Sequence, residues 1–329
     1  MLISFVIPSL NEAESLKQLT AEILANIGSH SYEIIFIDDG SRDSSPEIMR
    51  DLAAADPCIK VIQFRRNFGK AAALQQGFLA AEGEVVFTLD ADLQDNPIEI
   101  PRFLAKLDEG YDLVSGWKKK RHDPLHKTLP SKLFNYVTAR TFRLKLKDYN
   151  CGFKAYRKPL VKELNLYGEM HRYIPALAHA LGYRVGELAV EHRARQFGKS
   201  KYGFERYLRG FFDLLTVKMV TQYVKSPLYL FGRIGLISTM LGTILSLYLA
   251  VLKIFYGQPL SNRPLLFLGM LLIITGFQFI SLGLISELII NRVSSSRSLP
   301  ISLASTVNLG SEVEKKLYKH SQRSEQDRE

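Results

Sequence analysis

The sequence predicts an α/β fold: a mostly parallel sheet with helices on both faces, followed by a pair of membrane-crossing helices. Three observations predict it. Short apolar runs alternate with amphipathic helical stretches over the first two thirds of the chain, and each run ends at a polar, turn-forming cluster. From Pro227 to Ile290 the charges almost vanish. Alternating strand and helix calls for parallel strands joined by crossover helices, and about 20 apolar residues suffice for a helix to cross the bilayer core.

Leu2–Ile7, Glu33–Ile37, Lys60–Phe64 and Glu84–Leu89 are rich in Val, Ile and Phe and read as four strands; Tyr111–Ser115 is a fifth. Between them, Glu12–Ile27, Ser45–Ala55 and Lys70–Ala81 place apolar residues three and four apart, and a further helix starts at Pro97. Ser131–Leu144 is amphipathic. In Phe204–Tyr223, Phe204, Tyr207, Leu208, Phe211, Leu215 and Met219 share one face, opposite Arg206, Arg209 and Asp213. Directly before a span, such a helix is expected to lie in the headgroup plane. The spans are Ile234–Leu252 and Leu265–Ile290. Lys218, Lys225 and Arg233 precede them, Arg292 and Arg297 follow, and only Lys253 and Arg263 lie between, which places both termini in the cytoplasm. Gln278 in the second span is expected to bond a neighbouring helix or subunit, hence a homo-oligomer. From Ser294 the composition is that of a disordered tail. The organisation is therefore an α/β domain over 1–203, a juxtamembrane helix over 204–225, a two-helix membrane domain over 226–293 and a tail over 294–329.

The formal net charge is +10, which asks for an anionic partner. No helix-turn-helix, zinc-finger spacing or aromatic RNA-binding signature appears, so nucleic acid is set aside in favour of an anionic membrane surface. Cys58 and Cys151 are far apart and read as reduced thiols. Met1 leads straight into Leu2–Ile7 with no basic region, so no signal peptide is expected.

The polar clusters at the strand ends carry the chemistry. In Pro8-Ser9-Leu10-Asn11-Glu12, Ser9 or Asn11 can cap the next helix. Asp38-Asp39-Gly40-Ser41 is either a solvated turn or an acceptor of hydrogen bonds from a nucleobase or ribose. Asn67-Phe68-Gly69-Lys70 opens a helix whose free N–H groups and Lys70 suit an anion such as phosphate. Asp90-Ala91-Asp92, with Gln94 and Asp95 close behind, offers alternate carboxylates to a hard divalent cation, Mg²⁺ or Mn²⁺, whose remaining ligands are waters and substrate phosphates. Four such clusters closing four successive strands is a stronger signal than any one of them.

Through PSLNE, DDGSRD, RRNFGK and LDADLQD the chain resembles family 2 glycosyltransferases of the GT-A fold. GWKKKRHD, LPSKLFN, DYNCGFKAYRK, MHRYIPAL and FGKSKYG make it similar to the polyisoprenyl-phosphate members, the dolichol-phosphate mannosyltransferase type and above all bacterial bactoprenol glucosyltransferases. The resemblance implies that Pro8, Asn11, Glu12 and Asp39 hold the nucleoside, with UDP-glucose favoured; Lys70, at its helix start, and Asp90 complete the expected nucleotide-sugar site. It implies that Asp90, Asp92 and Gln94 lie around the metal and diphosphate, and that Asp148 acts near the reacting centre. Lys118 stands where relatives often carry Arg, which loses a bidentate phosphate grip. The Gln-x-x-Arg-Trp motif of processive relatives is absent, since the single Trp is Trp117.

The expected reaction is an inverting transfer of a hexose to polyprenyl (undecaprenyl) phosphate at the cytoplasmic face of the inner membrane. Its acceptor phosphate would be held by Lys118, Arg121, Ser131, Lys132, Arg193, Arg195, Lys199 and Lys201. His171 and Arg172 either line the acceptor pocket or cap a helix. The alternatives are transfer to another lipid such as diacylglycerol, a non-catalytic sugar-nucleotide-binding scaffold, and a flippase.

Overall fold

The computed structural model describes residues 1–118, 137–191, 193, 216–219, 227–257, 259, 264–293 and 303–307. The chain divides into two compact units, Met1–Val217 with Ser298–Glu329, and Lys218–Arg297.

The first unit is built on an eight-stranded sheet. Its strands are β1 (Leu2–Ser9), β2 (Ser31–Asp38), β3 (Ile59–Phe64), β4 (Val85–Thr88), β5 (Leu113–Lys118), β6 (Lys154–Arg157), β7 (Val185–Val190) and β8 (Leu303–Val307). They lie in the order β7-β5-β6-β4-β1-β2-β3-β8. β1 pairs in parallel with β2 and β4, and β2 with β3. The helices α1 (Leu16–Asn26), α2 (Ser45–Ala55) and α3 (Lys70–Ala80) join these strands, and α4 (Ile100–Asp108) precedes β5. After β3 the chain crosses back over β1 to form β4. The crevice between the carboxyl ends of β1 and β4 is therefore a topological switch point, where open α/β sheets receive ligands.

The central strands are buried on both faces, which is why they read as unbroken apolar runs. Phe5 and Phe87 stack at 5.4 Å, Phe87 meets Phe103 at 5.9 Å, and Phe103 meets Phe153 at 4.4 Å. This aromatic chain ties β1 and β4 to α4 and to the residue that opens β6.

Three strands escape the alternating pattern. β6 and β7 carry Lys154, Arg157, Gly186 and Glu187, and β6 runs antiparallel to both β4 and β5. β8 lies within the stretch expected to be a disordered tail and pairs antiparallel with β3; its Leu-Ala-Ser-Thr-Val sequence suits an edge strand. α1 begins four residues later than the expected Glu12, because the amides of Asn11, Glu12 and Ala13 donate to Ser41, Ser45 and Asp43 across the next loop. After β6 come α5 (Lys158–Glu163), a short 3₁₀ turn at Met170–Tyr173 and α6 (Ile174–Ala180). Of the expected helix at Ser131–Leu144, residues 137–142 are described and are helical, and of Phe204–Tyr223 only 216–219 are described. Cys58 and Cys151 are free thiols.

The second unit contains two helices, α7 (Pro227–Tyr256) and α8 (Pro264–Val293), of 30 residues each. Both are long and apolar enough to cross a membrane. At 1.5 Å per residue each reaches about 45 Å, longer than the ~30 Å hydrocarbon core. The helices run antiparallel through a glycine seam: a Cβ at Gly235 would sit 2.6 Å from the Gly276 carbonyl, and one at Gly242 2.6 Å from that of Gly269. Ser238 adds an interhelical hydrogen bond to the Leu272 carbonyl at 2.8 Å. Small residues that let backbones approach, with hydroxyl bonds across the contact, are the packing mode of helices in lipid. On the outer faces Leu236, Phe267 and Leu288 are 66%, 72% and 67% exposed, as suits a surface solvated by acyl chains rather than water.

Candidate active site

The loops after β1, β2 and β3 are stitched together. Asn11, with φ +55°, accepts at Oδ1 from the Arg42 amide at 2.8 Å and donates its own N–H to Ser41 Oγ at 2.8 Å. Asp38, fully buried, accepts from the Ser41 amide through Oδ1 at 2.9 Å, whereas its Oδ2 has no hydrogen-bond partner. Asp39 accepts from the Phe68 amide at 2.7 Å and the Gly69 amide at 3.0 Å, at the start of α3. Gly40 allows this closeness. It holds φ +77°, and a Cβ there would lie 2.6 Å from the Arg66 carbonyl carbon. Asp39 thus organises the rim of the crevice.

Burial pushes the Asp39 carboxyl up to about 6; the Phe68 and Gly69 amides pull it back, and Asp38 adds to the rise. Between pH 4 and 6 the folded chain therefore retains a proton that the unfolded chain has released. This contribution lowers stability as pH rises through that window. An Asn at this position carries no charge to desolvate. The melting temperature of Asp39→Asn minus that of wild type should therefore grow by several degrees between pH 4.5 and 7. A difference that stays flat with pH would remove the buried, ionisable role given to Asp39.

At the end of β4 stands Asp90, with its side chain one-third exposed and ion-paired to Lys70, the first residue of α3. Burial pushes this carboxyl up, but Lys70, with Lys118 and Lys154 behind it, more than reverses the effect and holds it at about 2. Asp92 is 7% exposed and its Oδ1 accepts from the Gln94 amide at 3.2 Å. The intervening Leu93 is fully buried and held at φ +58°, a conformation costing a branched side chain roughly 1–2 kcal/mol. Strain of this kind gathers at functional loops. Asp95 lies behind, 1% exposed, with neither carboxylate oxygen hydrogen-bonded and Lys118 Nζ at 3.9 Å from Oδ1. Burial raises its carboxyl to about 6; Lys118 opposes that rise, while Asp90 and Asp92 reinforce it.

The third wall comes from beyond β5. Asp148 is 1% exposed; its amide donates to Glu187 at 2.9 Å and its Oδ1 accepts from the Asn150 amide at 3.1 Å. Gly152 faces Asp90, so that an added Cβ would stand 2.6 Å from Asp90 Oδ2. Lys154 is buried in β6, opposite Thr88 of β4 and Ser115 of β5, and donates to the Cys151 carbonyl. Lys154, Tyr156 and His171 join Pro8, Lys70 and Asp90 around a small cavity of about 10 Å³. Sequence reasoning left Gly152, Lys154 and Tyr156 out of the site, although a lysine inside the apolar run Phe153–Tyr156 is a legible anomaly.

Asp90 and Asp92 offer hard oxygen ligands, and the unsatisfied oxygens of Asp95 add negative charge beside them. This donor set fits a divalent cation such as Mg²⁺ or Mn²⁺. Among the described residues no three His, Cys, Asp or Glu side chains converge to hold an ion alone, so a bound substrate would have to complete its shell.

Residues 4–164 match the model of glycosyl transferase family 2. The chain is 37% identical over 294 residues to a dodecaprenyl-phosphate galacturonate synthase of Rhizobium johnstonii, covering 87% of each chain. It is 36% identical over 303 residues to an undecaprenyl-phosphate 4-deoxy-4-formamido-L-arabinose transferase of Pseudomonas savastanoi pv. phaseolicola, covering 91% of this chain and 88% of that one. The chain belongs to glycosyl transferase family 2. This glycosyltransferase also shares its fold with glucosyl-3-phosphoglycerate synthase of Mycobacterium tuberculosis, solved with Mn²⁺, UDP and glucosyl-3-phosphoglycerate. The TM-score is 0.53 at 22% identity, over 66% of this chain and 79% of that one. The first unit is therefore a GT-A domain.

In this family 2 enzyme the structure gathers Pro8, Lys70 and Asp90 around one cavity and keeps Asp92 in the same loop as Asp90. Asn11 and Asp39 are engaged in holding the loops, and Glu12 donates its amide to Ser45 Oγ at 3.0 Å. Gln94 uses its backbone carbonyl to receive the Arg193 amide at 2.9 Å. Two of the residues expected at the acceptor phosphate have carboxylate partners of their own. Lys118 is turned into the carboxylate cluster beside Asp95, because an ammonium at the buried end of β5 is drawn to the nearest uncompensated acid. Arg193 is held by Glu22 and Asn96, each at 2.8 Å. Arg172 pairs with Glu169 at 2.6 Å. Arg121, Ser131, Lys132, Arg195, Lys199 and Lys201 lie outside the described residues.

Proposed function

We propose that this glycosyltransferase moves a sugar from a nucleoside diphosphate to polyprenyl phosphate, with inversion, at the cytoplasmic face of the inner membrane. The observation that carries this reading is the convergence of Asp90 with Lys70 and Lys154 near the β1/β4 switch point, with Asp92 two residues on in the same loop. It is supported by relatives, similar along most of the chain, whose names place sugars on polyprenyl phosphates.

An oxygen of the lipid phosphate attacks the anomeric carbon, and the bond from that carbon to the diphosphate breaks. The nucleoside diphosphate leaves with the electron pair. A phosphate monoester has a second pKa of about 6 and is largely dianionic at neutral pH, so no proton need be removed from the nucleophile. Asp148 is accordingly an orienting group rather than a base. A divalent cation held by Asp90 and Asp92, when bound, neutralises the leaving diphosphate. The rim built on Asn11, Asp38 and Asp39 takes the nucleoside, UDP being the favoured one. Since Lys118 and Arg193 already have carboxylate partners, the acceptor phosphate falls to the basic residues Arg121, Lys132, Arg195, Lys199 and Lys201 with Ser131.

A polyprenyl chain loses about 0.8 kcal/mol for each CH₂ lifted out of lipid, so the enzyme must work at the headgroup plane. α7 and α8, with basic residues concentrated outside the hairpin, supply the anchor and leave both termini in the cytoplasm. Gln278, exposed on α8, supports association of copies within the bilayer. The sequence favours glucose as the sugar, whereas the relatives' names specify galacturonate and 4-deoxy-4-formamido-L-arabinose. The donor is proposed as a nucleotide-linked pyranose whose substituents are read by residues behind Asp90.

The test is incubation of the purified protein with a panel of labelled sugar nucleotides and either undecaprenyl phosphate or diacylglycerol, with and without EDTA. One labelled polyprenyl-phosphate sugar is expected, abolished by chelation, with no diacylglycerol product. Transfer to diacylglycerol alone, or turnover indifferent to EDTA, overturns the reading.

A further inference from the structure

The cavity behind Asp90 has room for about one water-sized group at 10 Å³ and is walled by Lys70, Asp90, Lys154, Tyr156 and His171, with Pro8 at its edge. Within it the charges of Lys70 and Asp90 cancel as an ion pair. Lys154 has no such paired partner. Its side chain is 3% exposed, and its one hydrogen bond among the described residues goes to the neutral Cys151 carbonyl. None of the ion pairs among the described residues includes it. An ammonium has three donors; burial pulls the Lys154 pKa down, and Asp148 and Asp90 oppose that fall without bonding to it. His171 lies beside it, its Nδ1 buried and without a hydrogen-bond partner. Burial, with Lys70, Arg172 and Lys154 nearby, keeps that imidazole uncharged at neutral pH, so it contributes a neutral polar edge.

The cavity therefore holds a buried ammonium that bonds to no carboxylate, although Asp90 and Asp148 lie near enough to act on it, beside an unused imidazole nitrogen. Asp90 is part of this wall, so a sugar whose diphosphate were held at Asp90 would bring its ring substituents to the same cavity. Room for about one water-sized group excludes a tetrahedral phosphate but admits one oxygen of a carboxylate, the smallest anion a pyranose can carry. We infer that Lys154 and His171 form a subsite for a carboxylate on the donor's sugar ring, making the preferred donor a uronosyl nucleotide rather than a neutral hexosyl one. This rests on the nucleotide-sugar reading of the site but not on the identity of the acceptor.

The test compares UDP-galacturonate with UDP-galactose, which differ only in carboxylate against hydroxymethyl at the same carbon. Binding to the full-length protein in detergent with Mn²⁺ is measured by calorimetry without any lipid acceptor, and transfer to undecaprenyl phosphate is measured separately. Wild type should bind the uronosyl donor about 30-fold more tightly, in the range of removing one buried charge partner. Lys154→Met should lose that preference, UDP-induced thermal stabilisation reporting that the variant is folded. Wild type that binds UDP-galactose as tightly, that binds neither donor, or a folded Lys154→Met protein that keeps the preference, overturns the inference. A preference for the uronosyl donor with no transfer to the lipid would leave the inference standing and sink the polyprenyl-phosphate reading. Efficient lipid transfer of galactose without discrimination would do the reverse.

Discussion

Replacing Asp90 with Asn is expected to lower sugar transfer about 10³-fold, roughly 4 kcal/mol of transition-state stabilisation, with little change in fold. The side chain is one-third exposed and makes no core contact that Asn could not keep. What Asn cannot do is carry charge. Asp90 holds its carboxyl at about 2 because Lys70, Lys118 and Lys154 surround it, so it is fully ionised wherever the enzyme works. In the absence of a cation Lys70 supplies the counter-charge. Two explanations for a loss of activity can then be separated. If Asp90 served only to position Lys70, Lys70→Met would reproduce Asp90→Asn. If Asp90 ligates a divalent cation, Asp90→Asn should weaken Mn²⁺ binding measured by electron paramagnetic resonance. Lys70→Met should preserve that binding or tighten it, since a competing ammonium is gone. Turnover of Asp90→Asn within tenfold of wild type, or Mn²⁺ affinities moving together in the two variants, would take Asp90 out of the cation site.

Much of this site was legible because parallel central strands are hydrophobic throughout and stop abruptly. Asp38 and Asp39, Lys70, and Asp90 and Asp92 each follow such a run, and one sheet brings those strand ends together. The opposite wall was not legible. Gly152, Lys154 and Tyr156 reach Asp90 only because β6 inserts antiparallel between β4 and β5, pairing Lys154 with Thr88 across 66 positions of chain. A four-residue strand with lysine at one end and arginine at the other carries no periodic signal. Two of the basic residues, Lys118 and Arg193, were illegible for a different reason. Composition counts a lysine or arginine as available charge, whereas Lys118 and Arg193 are each matched by a particular acid, Asp95 and Glu22, that only tertiary structure brings near. For His171 the sequence left two readings open, a pocket wall or a helix cap, because an imidazole in Met170–Tyr173 suits either.

Gly152→Ala is expected to cost about 10²–10³-fold in activity, close to the loss from removing Asp90, although Gly152 has no side chain to contribute. A Cβ there would stand 2.6, 2.7 and 2.9 Å from Asp90 Oδ2, Cγ and Oδ1, so the methyl group takes the place the carboxylate now holds. The backbone cannot retreat. The Gly152 carbonyl accepts from Thr88 Oγ1 at 2.8 Å, and the carbonyl of Phe153 accepts from the Gly116 amide at 2.9 Å. Cys151 and Phe153 on either side are buried, with Phe153 packed 4.4 Å from Phe103. Asp90 is the softer partner, because one side of it is open, and it should swing away from both Lys70 and the cation position. Since the displaced group moves toward solvent rather than into the core, the melting temperature should change far less than activity does. Mn²⁺ affinity should fall with activity, a signature that generic destabilisation would not give. A Gly152→Ala enzyme that retains activity within threefold of wild type would mean that Asp90 does not need its present position, and the arrangement of the crevice around it would have to be redrawn.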